Sequence, residues 1–138
     1  MDAIQSSLLG LTSFALYFAV ALVLLLAFKY LYVMVTPHDE WRLVKEQQNV
    51  AAAVGFIGAV IGFALALASA ASNSVSLQDF AIWGVVALIA QLIAFAIVRF
   101  LFLPRIVQRI NENEVSAGIV LGGVSVAVGL LNAACMTY

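Results

Sequence analysis

The chain has 138 residues, of which 65% are apolar and only 9% charged, with a formal net charge of −1 and a mean hydropathy of +1.13. Soluble domains of this size carry about 45–50% apolar and about 25% charged residues, so the composition excludes a soluble enzyme and a disordered tail. The absence of a basic surplus excludes a nucleic-acid binder, and the single cysteine, Cys135, closes no internal disulfide and holds no zinc alone.

What remains is an all-α integral membrane protein. A hydrocarbon core about 30 Å thick takes about 20 apolar residues as helix. Four uncharged stretches meet that length: Leu8 to Phe28, Val50 to Ala71, Phe80 to Val98 and Val115 to Met136. The first exceeds the apolar core of a secretory signal, and Met1 to Ser7 carry no Lys or Arg, so it reads as a retained span. After it, Thr36 is expected to cap a helix whose first position is Pro37 and whose positive end Asp39 complements. Trp41 and Val44 give that segment an apolar face. His38 has no second histidine at ligand spacing and reads as a solvated loop residue. Glu46 and Asn49 mark the entry to the second span, which carries Gly55, Gly58 and Gly62.

In the turn between spans two and three, Ser76 and Asp79 form a capping box, with Val75 expected to staple against Phe80. Gln91 is the one strongly polar side chain near a membrane midplane. Lys29 and Arg99, which end the first and third apolar runs, reach toward headgroups. Past Pro104, Ile106, Val107 and Ile110 share a helical face, with Arg105 and Arg109 beside them. Glu114 then opens the fourth span, whose stripe runs Gly118, Gly122, Ser125, Gly129 and Asn132.

All six basic residues fall in two connections, between spans one and two and between spans three and four. Loops rich in Lys and Arg stay on the cytoplasmic side, so both termini are expected outside. The order of span, proline, basic interfacial stretch and glycine-rich span occurs twice. This predicts two tandem parallel two-helix repeats, 1–73 and 74–138, with a register of 64 or 65 residues. Seven of the nine glycines lie in spans two and four, and both Gly58 to Gly62 and Gly118 to Gly122 are G-x-x-x-G. Gly55, Gly58, Gly62, Gly118, Gly122 and Gly129 are therefore read as a close-packing surface, within the chain and between copies of it, with a glycine-lined path as the alternative. Eleven of the fifteen aromatics lie in or flank spans one and three, which is expected to place two and four inside.

Gln91, Asn132, Glu114 and Asn49 are the candidates for a polar site in the membrane, against interhelical hydrogen bonds and helix caps as the plain readings. Trp41, Arg42, Arg105 and Arg109 are the candidates for a cytoplasmic partner or lipid surface, against simple anchoring of helix ends. No catalytic constellation, metal site or cofactor is expected.

Three segments carry a family likeness: Thr36-Pro37-His38-Asp39-Glu40-Trp41, Asn49-Val50-Ala51-Ala52-Ala53, and the ending Leu131-Asn132-Ala133-Ala134-Cys135-Met136-Thr137-Tyr138. Together they resemble the bacterial domain-of-unknown-function 350 family of inner-membrane proteins, over almost the whole chain. The resemblance implies two two-helix units that each enter their second helix through Asn-x-Ala-Ala. Asn49, Ala51 and Ala52 fit that pattern, while Glu114 and Ser116 depart from it. Members tend to be encoded beside homologues of phage-shock membrane-stress proteins and ATP-grasp enzymes. The resemblance therefore implies a membrane scaffold in an envelope-stress system with a cytoplasmic or membrane-stress protein partner; with no catalytic constellation and with glycine surfaces for self-association, a non-enzymatic homo-oligomer is expected, the alternative being an oligomeric channel or transporter.

Overall fold

The computed structural model describes residues 2–37 and 40–136, and these form helices and turns with no strand. Long helices α1 (Ala3–Val35), α3 (Val50–Asn73), α4 (Leu77–Ile97) and α6 (Val115–Cys135) are each long and apolar enough to cross a membrane. Short α2 (Glu40–Gln47) precedes α3, and α5 (Ile106–Asn111) precedes α6. A five-residue π-helical turn, Val98–Phe102, extends α4.

The first three spans outrun their uncharged stretches where side chains can still be packed or capped. Asp2 accepts a hydrogen bond from Ile4 N, so α1 begins well before Leu8. It continues beyond Lys29 because Tyr32 is fully buried, near Phe28 (ring centroids 5.3 Å apart), Phe56 (6.1 Å) and Phe95 (6.0 Å). At about 1.5 Å per residue its 33 residues exceed the hydrocarbon thickness, and every residue from Ala3 to Leu16 is exposed.

Thr36 does not cap α2. It ends α1 instead, its hydroxyl and its backbone N–H both donating to Tyr32 O at 2.9 Å. Asp39 and His38 lie outside the described residues. At the opposite end of the bundle, Ser76 caps α4 as expected, accepting from Asp79 N at 3.1 Å, while Asp79 accepts from Val75 N at 3.0 Å. The expected staple does not form. Val75 is 86% exposed, and Phe80 stacks on Tyr17 from α1.

The core is built on α3 and α6, which run side by side in the same direction and make the most extensive contact in the molecule. Enclosure falls in the order α3, α4, α6, α1. The fourth span is thus less enclosed than the third, contrary to the glycine and aromatic distribution. One face of α6 meets α3, while Ile119, Val120, Leu130 and Leu131 point away from the bundle, and Phe80 and Phe95 of α4 are core residues.

Candidate functional site

Glycine decides how closely α3 and α6 approach. A Cβ on Gly58 would collide with the Cα, C and O of Gly122, one on Gly118 with the backbone of Ala51, and one on Gly129 with the backbone of Gly62. Gly62 likewise faces the backbone of Ser125, and a Cβ on Gly55 would stand 2.9 Å from Leu121 Cδ2. Close approach of this kind supplies the dispersion that drives helix association in lipid, where burial of apolar surface gains little. These glycines are therefore taken up by contact within one chain. Gly123, which lies beside the stripe, has nothing within 4 Å and opens on an apolar groove with Ile57, Ile61 and Ile119.

The four polar candidates do not converge. Gln91 is fully buried where α3, α4 and α6 meet, with Nε2 3.0 Å from a Cβ built on Gly62, and neither of its amide atoms has a hydrogen-bond partner. Asn132 Nδ2, near the far end of α6, is also buried without a partner. Ser69 close by donates to Ala133 O at 2.8 Å. Asn49 and Glu114 lie at the opposite end, at the starts of α3 and α6, and do different work.

Asn49 is a structural lock. Its Oδ1 accepts from Ala52 N at 2.9 Å as the N-cap of α3, while its Nδ2 donates to Ile110 O, at the end of α5, at 2.7 Å. Asn113 answers from the other half: its Oδ1 accepts from Ala51 N at 3.1 Å. The backbone of Asn113 is left-handed, with φ 58°, and ends α5 in a Schellman motif in which Asn113 N donates to Ile110 O and Glu114 N to Arg109 O. Gln48, just before Asn49, is also left-handed, with φ 51°. Asparagine tolerates that conformation better than most residues, a signal at Asn113 that sequence reasoning passed over. Glu114 makes no cap bond to α6. It pairs with Arg109 at 3.4 Å across an exposed surface, a contact of small energetic worth.

The candidate partner residues are distributed along the same end of the bundle. Trp41 rests over Phe56 and under the Lys29 ammonium, which lies 4.1 Å from its ring centroid. Arg42 pairs with Glu46 one turn on, at 3.3 Å. The apolar faces of α2 and α5 turn inward: Leu43, Ile106 and Ile110 are buried in the core. Their basic faces are left outward, with Arg105 exposed and Arg109 partly so. Arg99, expected only to reach for headgroups, shares a groove with Arg105.

Among the described residues no group of His, Cys, Asp and Glu could hold a metal ion, and Cys135 is a free, exposed thiol. Four apolar spans with all six basic residues gathered at one end define a multi-pass helical membrane protein. The chain belongs to the Domain of Unknown Function (DUF350) family, whose model matches residues 6–136. It is 40% identical over 129 residues to the UPF0719 inner membrane protein YjfL of Escherichia coli K12, covering 94% of this chain and 96% of that one. The YjfL protein of Escherichia coli O157:H7 matches with the same identity and coverage. No solved structure matches. The protein is accordingly a multi-pass protein of the bacterial inner membrane.

Proposed function

We propose that the protein is a non-enzymatic membrane scaffold, built from two tandem two-helix units, 1–73 and 74–138, that offers α2, α5 and their flanking turns to a cytoplasmic partner of an envelope-stress system. The observation that carries the reading is the gathering of every basic residue at one end. Lys29, Arg42, Lys45, Arg99, Arg105 and Arg109 all lie there, on or beside the two short helices, whereas the spans carry no charge at depth. Close packing of α3 on α6 also leaves Gln91 sealed from solvent rather than lining a wet path. The tandem arrangement is supported by the parallel course of α3 and α6, and by the matching entries: left-handed Gln48 before extended Asn49, left-handed Asn113 before extended Glu114. That correspondence favours the register of 65.

In this reading both termini and the Ser74–Ser76 turn face the periplasm, and copies associate through the apolar groove on which Gly123 opens and which Gly58 and Gly122 also line. Alkaline phosphatase fused at the C-terminus or after Asn73 is expected to be active, and fused after Gln47 or Asn111 inactive. A photo-cross-linker at Trp41 is expected to capture a cytoplasmic protein, and liposomes bearing the purified protein to pass no more ions than empty ones. The reversed fusion pattern, or flux abolished by Gln91→Leu, overturns the scaffold.

A further inference from the structure

Two of the four arginines have carboxylate partners: Arg42 with Glu46 and Arg109 with Glu114. Among the described residues Arg99 and Arg105 have none. These two line one groove of about 500 Å³ between the end of α4 and α5, together with Pro104, Gln108, Asn111 and Glu112. Glu112 is occupied by Gln108, whose Nε2 donates to it at 3.2 Å. Arg99 and Arg105 against Glu112 leave the groove one net positive charge.

The chain beside the groove is strongly apolar. Phe100, Leu101 and Phe102 are 70%, 76% and 57% exposed, the longest run of bulky exposed residues next to any charged group in the molecule. They occupy the π-helical turn, closed by the bond from Leu103 N to Val98 O at 2.8 Å. Because each turn of a π-helix holds more residues than an α-turn, this stretch spreads three bulky side chains outward while α4 stays anchored by buried Val98. Exposed aromatic and aliphatic side chains of this kind sit among acyl chains and glycerol, which sets the neighbouring guanidiniums at the depth of lipid phosphates.

We propose that this groove is a binding site for the phosphate headgroup of one anionic phospholipid, with Arg99 and Arg105 holding the phosphodiester and Phe100, Leu101 and Phe102 packing against the glycerol and upper acyl chains. The single net positive charge matches the single negative charge of a phosphatidylglycerol headgroup. The guanidinium's planar fork suits phosphate oxygens. A soluble phosphate would meet the same arginines but leave the exposed apolar run unused, so the geometry favours the lipid. The proposal goes beyond the scaffold reading: it gives the groove between α4 and α5 to a lipid whether or not a partner meets α2 and the rest of α5, and its test is read on lipid rather than on cross-linked protein.

The experiment reconstitutes the full chain into nanodiscs of phosphatidylcholine with an equal share of phosphatidylglycerol, and counts retained lipids by native mass spectrometry. Two basic side chains at a membrane surface correspond to a preference of about thirty-fold for the anionic lipid. Wild type and Arg42→Gln, whose charge lies outside the groove, are expected to keep one phosphatidylglycerol per chain. Arg99→Gln/Arg105→Gln is expected to retain the two lipids almost equally. Arg105→Gln alone, at an exposed position that leaves folding untouched, is expected to lower the preference by about fivefold. Equal retention of both lipids by wild type, or an equal loss in Arg42→Gln, overturns the site. Displacement of the lipid by a millimolar excess of glycerol 3-phosphate identifies a soluble phosphate site instead and also overturns it.

Discussion

Gly58 and Gly123 occupy corresponding positions in the two G-x-x-x-G-bearing spans at the favoured register, yet adding one methyl group to each should have opposite effects. At Gly58 the new Cβ would run into the Cα, C and O of Gly122, all backbone atoms that cannot rotate away. Relief requires α6 to move out by about 1 Å, and a gap of that size forfeits a quarter to a half of the dispersion energy at the other contacts along the pair. The pair extends from Ala51 and Gly118 to Ser69 and Ala133, so the loss is repeated over five turns of helix. Overpacking of a close core costs about 1–3 kcal/mol, and the length of this contact puts Gly58→Ala at the upper end. The helix-propensity gain of about 1 kcal/mol on replacing glycine offsets only part. At Gly123 a Cβ meets nothing within 4 Å, so that gain stands alone.

Titration of the detergent-solubilised protein with dodecyl sulfate, followed by circular dichroism, measures both. Gly58→Ala should lose about 2 kcal/mol and Gly123→Ala should match or slightly exceed wild type. Equal destabilisation by the two substitutions, or a neutral Gly58→Ala, refutes the close approach of α3 and α6.

The same assay tests two polar positions. Asn49→Ala removes the cap on Ala52 N and the bond to Ile110 O, each worth about 1 kcal/mol, and should cost about 2 kcal/mol; Asn49→Ser, which restores only the cap, should cost about half as much. A stability of Asn49→Ser equal to wild type would show that the bond to α5 contributes nothing, and equal losses in the two variants that the cap contributes nothing. Gln91→Met removes two buried amide atoms that have no partner and should raise stability by about 1 kcal/mol or more, since an unsatisfied buried group costs about 1–3 kcal/mol. A fall in stability would mean that the Gln91 amide is satisfied by a bound group.

How much of this was legible in the sequence follows from how far each interaction reaches along the chain. The four spans were readable because hydrocarbon thickness alone demands them, and Ser76 because its partner Asp79 is three residues away. Thr36 was misread because a threonine hydroxyl can serve a following helix or fold back on the preceding one, and here the burial of Tyr32 carries α1 far enough to claim it. The glycines were legible as small residues but not as partners. One residue of register decides whether Gly58 faces Gly122 or Gly123, and only the packing of Leu121 beneath Gly55 and of Ser125 against Gly62 resolves it. Asn49 was visible as an entry residue, whereas its bond to Ile110 crosses 61 positions and depends on the left-handed turn at Asn113. The pairing of Arg99 with Arg105 was hidden for a related reason. Six residues apart, they would fall on different faces of an unbroken α-helix, at about 3.6 residues per turn. The π-helical turn and Pro104 break that helix between them, and the groove they share exists only because it is broken.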